Sequence, residues 1–264
     1  MRLISANEKK FFNEFGHLTL RNILDKKILR QMKHMSYDLF KGKYDSGIAP
    51  DKIKIGDKLS KQPKQLCNVW KSNYTFASII TSEQLGKIVS ELMDWEGSRL
   101  CQDSLFLVEP SHGGVSMHQD HVYHDWHTSD NLLTVWVPLV NISDNSGGIK
   151  LVPSSHRWKK LSKPIKKFFT GSKYKKSLTT FSKKKYQIFT PLLNIGDISI
   201  HHGKMWHGSD INKSKQDRLA IACHFIHMNS KFHHINSNPV FNHYKKFKSF
   251  EMDENFFPII WGQK

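Results

Sequence analysis

The stretch Met117-His118-Gln119-Asp120 combines two side chains that bind metal ions well. His118 and Asp120 are two residues apart, and on an extended strand residues i and i+2 point to the same face. One imidazole and one carboxylate make up two thirds of the 2-His-1-carboxylate triad, which holds Fe(II) and leaves coordination positions open. The chain contains 16 histidines, so this pair is informative only if a third ligand can be found.

We favour His207, in Trp206-His207-Gly208-Ser209, as the third ligand, because Arg218 follows at the start of a predicted strand. An oxygenase that uses 2-oxoglutarate needs a fixed cation for the far carboxylate of that cosubstrate. The planar guanidinium of arginine pairs with a carboxylate in bidentate fashion. Ser209 could add a hydroxyl donor. From the residues alone, five other histidines remain candidates: His121, His124, His127, His201 and His202.

Two helices are predicted in the first hundred residues, with a shorter one before them. Ser5 and Glu8 form a capping-box pattern, which predicts a helix from about Ala6 to Glu14, ended by Gly16. A short strand, His17 to Leu20, follows. Asp25 then opens a longer helix with an apolar stripe. Thr81 and Gln84 resemble another capping box, before a helix that ends near Trp95, and residues 42–57 are predicted to be a loop.

From residue 104 onward the sequence is typical of strands. Seven segments are predicted as strands: Ser104–Val108, Met117–Asp120, Leu132–Val140, Ile149–Val152, Tyr186–Thr190, Asp197–His202 and Leu219–His227. Helices followed by short strands with turns between them indicate an α+β fold with a mainly β core, an antiparallel double-sheet roll. We predict a single domain over 1–264, with a helical part at about 1–100, the core at about 101–230 and a C-terminal extension at 231–264.

Composition excludes several classes of protein. No apolar run approaches the ~18 residues of a membrane span, and the N-terminus lacks the apolar core of a signal peptide. The three cysteines are odd in number and widely spaced. This favours reduced thiols and a cytoplasmic protein over a disulfide framework or a zinc module.

The formal net charge is +17, and much of it lies in one segment. No acidic residue occurs between Asp144 and Asp197, and residues 157–185 hold eleven lysines and one arginine with aromatic residues between them. Three interpretations stay open. The segment is a solvated loop of a lysine-rich gene, or it attracts an anionic substrate, or it binds nucleic acid through phosphate contacts and base stacking.

Taken in order, the motifs of this chain resemble those of the phytanoyl-CoA dioxygenase family. The likeness covers most of the chain and is concentrated in 104–227. It begins at Phe12-Asn13-Glu14-Phe15-Gly16 and includes Trp136 and Gly196-Asp197. The motifs that carry it most strongly are Met117-His118-Gln119-Asp120, Asn145-Ser146-Gly147-Gly148, Val152-Pro153-Ser154-Ser155-His156, His207-Gly208-Ser209, Asn212-Lys213-Ser214 and Arg218.

The resemblance implies a double-stranded β-helix, or jelly-roll, fold with flanking N-terminal helices. It implies Fe(II) held by His118, Asp120 and His207, and 2-oxoglutarate paired with Arg218. By the same likeness, three further residues would line the cosubstrate pocket: Gln119, Trp136 and Ser209. Some relatives have a small residue in place of the carboxylate ligand and halogenate their substrates. Asp120 is present here, so hydroxylation with O₂ is expected.

The expected function is therefore a non-haem Fe(II)- and 2-oxoglutarate-dependent dioxygenase. Its partner would be a small, anionic or polar metabolite, such as an acyl-CoA, an amino-acid derivative, a phosphonate or a natural product. The sequence does not choose among these substrates, nor does it indicate an oligomeric state. Two alternatives are a basic nucleic-acid-binding protein, including an oxygenase that acts on nucleic acid, and a non-catalytic metal-binding relative.

Overall fold

The computed structural model describes residues 3–55, 61–158 and 186–262. Most of the lysine-rich segment, residues 159–185, lies outside the described residues, so its predicted roles stay predictions. Four α-helices are described: α1 (Ala6–Phe15), α2 (Lys26–Phe40), α3 (Tyr74–Ile80) and α4 (Glu83–Met93). The described strands are β1 (His17–Leu20), β2 (Lys52–Lys54), β3 (Lys64–Cys67), β4 (Ser98–Val108), β5 (Leu133–Pro138), β6 (Ile149–Leu151), β7 (Ile198–His202), β8 (His207–Ser209), β9 (Arg218–His227) and β10 (Ile259–Trp261).

The strands form two antiparallel sheets. The large sheet has the order β1-β7-β5-β9-β4-β3-β2, and β10 pairs with β4. The small sheet pairs β6 with β8. The helices precede the long strands in sequence and pack against the large sheet through a shared apolar core. The predicted α+β class with a mainly β core is therefore confirmed.

The cap of α1 follows the predicted pattern. The Ser5 hydroxyl accepts a hydrogen bond from the Glu8 amide, and the Glu8 carboxylate accepts one from the Ser5 amide. Gly16 closes the helix with a φ of 74°, a left-handed conformation that glycine adopts without steric cost. This end of the helix leads directly into β1, which pairs with β7 at the edge of the large sheet.

Four local predictions are wrong. Ser82, and not Thr81, is the N-cap of α4, and its side chain makes no capping hydrogen bond. Strand β2 lies inside the predicted loop 42–57. Residues 186–190 form no strand, and only an isolated bridge joins Phe189 to Leu151. Met117–Asp120 is also not a strand: His118 makes one isolated bridge, and a 3-10 helix, Asp120–Tyr123, follows.

The register of the large sheet decides which side chains share its inner face. Residues opposite one another in an antiparallel pair point to the same side, and successive residues alternate. Thr134 of β5 is opposite His224 of β9 and His201 of β7. These three side chains, from three neighbouring strands, therefore converge on one place.

Candidate active site

The main chains of His118 and His207 pair directly. Each amide donates to the carbonyl of the other residue, at 2.8 Å from His118 and 2.9 Å from His207. The pairing extends the small sheet, in which His207 is opposite Leu151 of β6. It brings the two imidazole rings to a centroid separation of 4.2 Å, although they come from distant parts of the chain.

Backbone carbonyls fix the orientation of both rings. The Nδ1 of His118 lies 2.7 Å from the Ser116 carbonyl oxygen, and the Nδ1 of His207 lies 3.0 Å from that of Met205. A carbonyl oxygen can only accept, so both Nδ1 atoms carry a proton, and in the neutral form of each ring Nε2 keeps a lone pair. This is the arrangement usual for a histidine that binds a metal through Nε2.

The carboxylate of Asp120 completes a group of three ligand atoms. Its Oδ1 lies 3.2 Å from Nε2 of His118 and 3.3 Å from Nε2 of His207. One ligand atom from each of the three residues lies within 4.8 Å of the others, which is close enough to share one metal ion. Two imidazoles and one carboxylate match a facial triad in both donor type and number.

A second set of polar groups surrounds Oδ2, the other carboxylate oxygen of Asp120. The Thr134 hydroxyl donates to Oδ2 at 2.6 Å, and Nε2 of His201 donates to the same oxygen at 3.3 Å. Because the hydroxyl proton of Thr134 is used in this way, Nδ1 of His224 must donate to the Thr134 oxygen, at 3.0 Å. These bonds leave Oδ1 free for a metal and hold the carboxylate in one orientation.

The charges in this group stabilise one another. Burial alone would raise the pKa of Asp120, but His207 and His224, with a hydrogen bond from His201, hold that pKa well below its ordinary value. Burial lowers the pKa of His207, yet the adjacent Asp120 carboxylate raises it overall. For His201 burial prevails and brings the pKa to about 3, so this ring is neutral. Asp120 is thus ionised and ready to bind a cation.

Arg218, at the start of β9, is a buried cation. It is 2% exposed, and burial lowers its pKa to about 10. One terminal nitrogen donates to the Ser209 hydroxyl at 3.2 Å, while its buried Nε has no hydrogen-bond partner. In the part of the chain that the structure describes, it makes no salt bridge. Since a buried charge without a partner is costly, the site favours an anionic ligand at this point.

A row of small side chains joins Arg218 to the triad. Arg218, Ala220, Ala222 and His224 alternate along β9 and therefore share its inner face. Trp136 is opposite Ala222 and faces the same side. The two alanines, which lie between Arg218 and His224 on this face, each carry only a methyl group.

Tyr123 lies beside His118 of the triad. Its ring meets the His118 imidazole edge-on, with the centroids 5.8 Å apart. The side chain is half-buried, and burial together with the Asp120 carboxylate raises its pKa. The phenol is therefore protonated near neutral pH and can donate a hydrogen bond beside the candidate metal position.

The sequence model of the phytanoyl-CoA dioxygenase family matches residues 12–220. The chain belongs to the phytanoyl-CoA dioxygenase family. The predicted enzyme class, a dioxygenase, is thereby confirmed. A probable phytanoyl-CoA dioxygenase of Caenorhabditis elegans is similar, with 22% identity over 245 residues that cover 84% of this chain and 75% of the relative.

Solved structures confirm the double-stranded β-helix fold of this dioxygenase. The non-haem alpha ketoglutarate dependent carbocyclase SnoK from nogalamycin biosynthesis is similar with a TM-score of 0.77, at 14% identity over 97% of this chain and 96% of that one. The epimerase SnoN, in complex with Fe³⁺, alpha ketoglutarate and nogalamycin RO, gives a TM-score of 0.75 at 14% identity, over 97% of this chain and 98% of that one. The expected iron and 2-oxoglutarate agree with what the SnoN structure holds.

The structure of this family member places five of the seven residues singled out from the sequence in two groups: His118, Asp120 and His207 in one, and Ser209 and Arg218 in the other. Trp136 shares the inner face of the sheet, and its predicted contact with the cosubstrate stays a prediction. Gln119 is fully buried, and its amide donates to the Lys204 carbonyl at 2.5 Å. Its backbone is extended (φ −120°, ψ 128°), so its side chain points away from its two neighbours.

Sequence reasoning missed the groups that orient Asp120. Thr134 lies in an apolar strand without any motif, and His224 was one of many histidines. Only sheet register identifies them, and register is not visible in the spacing of residues. His201, considered a candidate third ligand, instead contacts the outer oxygen of Asp120. His202 is directed elsewhere: its ring lies 5.4 Å from that of His156, and its Nδ1 accepts from the Lys204 amide.

Helices in the described residues are too short or too polar to cross a membrane.

Proposed function

We propose that this protein is a non-haem dioxygenase that uses Fe(II), 2-oxoglutarate and O₂ to hydroxylate a small, polar or anionic metabolite. The observation that carries the proposal is the placement of Arg218 on the same inner face as the group formed by His118, Asp120 and His207. Arg218 is a buried cation that makes no salt bridge within the described residues. A metal-binding group at one end and a buried guanidinium at the other fit a dicarboxylate chelated through its near end.

The residues fit the cofactors on two independent grounds. The triad offers two imidazole lone pairs and one ionised oxygen, and such a donor set suits Fe(II) while leaving other coordination positions for ligands. Arg218 and Ser209 offer a guanidinium fork and a hydroxyl, which suit the far carboxylate of 2-oxoglutarate. When bound, iron and 2-oxoglutarate supply the oxidising chemistry, in which 2-oxoglutarate gives succinate and CO₂ and the substrate gains one oxygen atom from O₂.

In the reaction, this chain binds and orients the reactants and excludes water. Thr134 and His201 hold Asp120 so that only one carboxylate oxygen faces the metal position. The buried setting of Arg218 strengthens its interaction with an acid group, because little water competes for it. Burial of the triad also keeps solvent away from a reactive site.

The inner face near the triad supports a polar substrate. Gln102 is opposite His224, so its side chain faces the same interior. Its amide donates to the Ser104 hydroxyl at 3.0 Å, and the amide of Gln65, on the adjacent strand, donates to the same oxygen at 3.2 Å. Together with the Tyr123 phenol, these groups give the inner face a polar character that suits a polar substrate better than an entirely apolar one.

The proposal is tested by a screen of metabolite mixtures with the full chain, Fe(II) and 2-oxoglutarate under air. We expect substrate-dependent succinate formation and a product that carries one added oxygen atom. The His118→Ala variant should give neither, whereas His34→Ala, at an exposed histidine of α2, should match the wild type. Equal succinate formation by wild type and His118→Ala would overturn the proposal.

A further inference from the structure

Cys101, His124 and His127 form a second group of metal-binding side chains. One ligand atom from each lies within 4.8 Å of the other two, and all three residues are buried. The Sγ of Cys101 is 3.9 Å from Nδ1 of His124. The group shares no residue with the triad of His118, Asp120 and His207, and it contains a thiol, which the triad lacks.

A bulge in β4 sets the direction of the thiol. The pairing of β4 with β9 shifts register between Leu100 and Gln102, so Cys101 is the extra residue. Bulges of this kind aim a side chain out of the regular alternation of a strand. The thiol enters a separate apolar cluster, where the two histidines arrive from the loop that follows Asp120. The buried members of that cluster are Cys101, Trp126, Leu132, Ile226, Phe232, Phe241, Met252 and Phe257.

The polar atoms of this group are poorly satisfied. Nε2 of His127 is buried and has no hydrogen-bond partner among the residues that the structure describes, while its Nδ1 accepts a hydrogen bond from the Ser129 amide at 3.2 Å. The contact between Cys101 and His124 is long even for sulfur. Native structures rarely leave buried polar atoms unpaired, and each such atom needs an explanation. A bound cation would explain both the unpaired Nε2 of His127 and the long contact between Cys101 and His124.

Burial also keeps both rings in the form that binds metals. It lowers the pKa of His127 to about 3 and that of His124 well below its usual range. Both imidazoles are therefore neutral and retain a lone pair. Burial raises the pKa of the Cys101 thiol, so this group becomes a thiolate only if a cation is present to stabilise it.

We propose that Cys101, His124 and His127 bind a divalent metal ion of borderline softness, for which Zn²⁺ is the first expectation. One thiolate and two imidazoles are typical zinc donors, with ligand atoms roughly 3.3–3.6 Å apart around a tetrahedral ion. The group needs only a small closure to reach that spacing. Binding releases the Cys101 thiol proton to solvent, and Nδ1 of His127 takes the ring proton and gives up its contact with Ser129.

Such an ion would clamp the loop after Asp120 onto β4. This loop already pairs with the C-terminal extension: His127 bridges Phe232, and the His233 amide donates to the Trp126 carbonyl at 2.7 Å. The ring of His224, which orients Asp120 through Thr134, lies 4.9 Å from that of His124. The second site is thus directly behind the triad and would hold in place the segment that carries Asp120.

Cobalt substitution tests the site without reference to activity. The full chain is produced in minimal medium with Co²⁺ in place of Zn²⁺, so that the ion is present while the buried site folds. We expect a near-ultraviolet thiolate-to-Co²⁺ charge-transfer band. Cys101→Ser should lose this band and bind one Co²⁺ fewer per chain. Cys67→Ser and Cys223→Ser, at the other two buried free thiols, should keep both the band and the ion.

Two further variants make the result decisive. His127→Gln keeps the thiol and should still lose the ion, which separates metal binding from misfolding if Cys101→Ser does not fold. His118→Ala removes a triad ligand and should keep the thiolate band, which separates this site from the catalytic one. A wild-type protein without the band, or a band that survives Cys101→Ser, would overturn the proposal.

Discussion

The Thr134 hydroxyl donates a 2.6 Å hydrogen bond to the Asp120 carboxylate oxygen that faces away from His118 and His207. Thr134 is therefore placed to decide how Asp120 meets a metal. We expect Thr134→Val, which keeps the shape of the side chain and removes the hydroxyl, to weaken metal binding by roughly 10–100-fold. Titration of the metal-free protein with Mn²⁺ or anaerobic Fe(II) measures this.

Thr19→Val is the matched control for Thr134→Val. Thr19 lies in β1, and its buried hydroxyl has no hydrogen-bond partner. The same replacement should leave metal affinity unchanged there. Equal affinities for Thr134→Val and the wild type would show that the hydroxyl does not position Asp120.

Arg218 is expected to set the affinity for 2-oxoglutarate. Arg218→Lys keeps the positive charge and loses the planar fork, so a bidentate pair becomes a single contact. A hydrogen bond to a charged group is worth about 1.5–3 kcal/mol, which corresponds to a rise of roughly 10–100-fold in the KM for 2-oxoglutarate.

Arg99→Lys is the control that shows whether the loss of any buried guanidinium raises the KM for 2-oxoglutarate. Arg99 is also buried, but it donates to the main-chain carbonyls of Met228, Met252 and Phe257. This variant should lower the melting temperature and leave the KM for 2-oxoglutarate at the wild-type value. A KM that rises equally in both variants would argue against the specific role of Arg218.

Gly208, between His207 and Ser209, allows His118 and His207, the two candidate histidine ligands, to lie close together. A Cβ at this residue would lie 2.8 Å from the Val115 carbonyl oxygen and 3.0 Å from the Met117 amide, which are both main-chain atoms. Gly208→Ala should therefore separate the His118 and His207 segments, and it should reduce both the melting temperature and metal affinity. Gly113→Ala, whose nearest contact would be an ordinary 3.5 Å, should change neither. Thermal unfolding with and without metal compares them.

The stability of the fold should decline in mild acid. Burial lowers the pKa of His17 from 6.5 to about 4, and the nearby His156 adds to this. Between these values the unfolded chain binds a proton at His17 and the folded chain does not. The contribution of His17 to the free energy of unfolding is therefore greatest above pH 6.5 and falls as the pH is lowered towards 4.

Replacement of His17 isolates its contribution to acid sensitivity. The ring stacks on Phe189 and meets Phe11 edge-on, so His17→Phe suits its surroundings. With this replacement, the free energy of unfolding lost between pH 6.5 and 4 should be smaller by about 2 kcal/mol. Urea unfolding at several pH values measures the slope, and His34→Gln, at an exposed residue of α2, should leave it unchanged. A slope unaffected by His17→Phe would contradict the expectation.

Local signals allowed the first helix and the long strands to be predicted. The Ser5–Glu8 box and the apolar stripes act within a few residues, so they are visible in the sequence. Strand β2 has three exposed residues, Lys52–Lys54, and shows no apolar alternation to detect. Its pairing with β3 is a tertiary effect, which no local pattern encodes.

The sequence predicted the three residues at the centre of the candidate site, His118, Asp120 and His207, but not the residues that orient Asp120. His118 and Asp120 converge even though the predicted strand is absent, because Gln119 between them is extended. The contacts of Thr134, His201 and His224 with Asp120 depend on the register of three strands. The second group, at Cys101, depends on a bulge. Long-range register has no signature in residue spacing, so these residues became visible only in the structure.

Anaerobic binding of 2-oxoglutarate, measured with and without Fe(II), tests the central proposal most directly. The wild type should bind the cosubstrate tightly only when the metal is present, since one end is chelated and the other pairs with Arg218. His207→Ala should lose the metal-dependent part of the affinity, and Arg218→Lys should weaken binding with the metal still bound. Binding that is independent of Fe(II), or equal in all three proteins, would contradict the account.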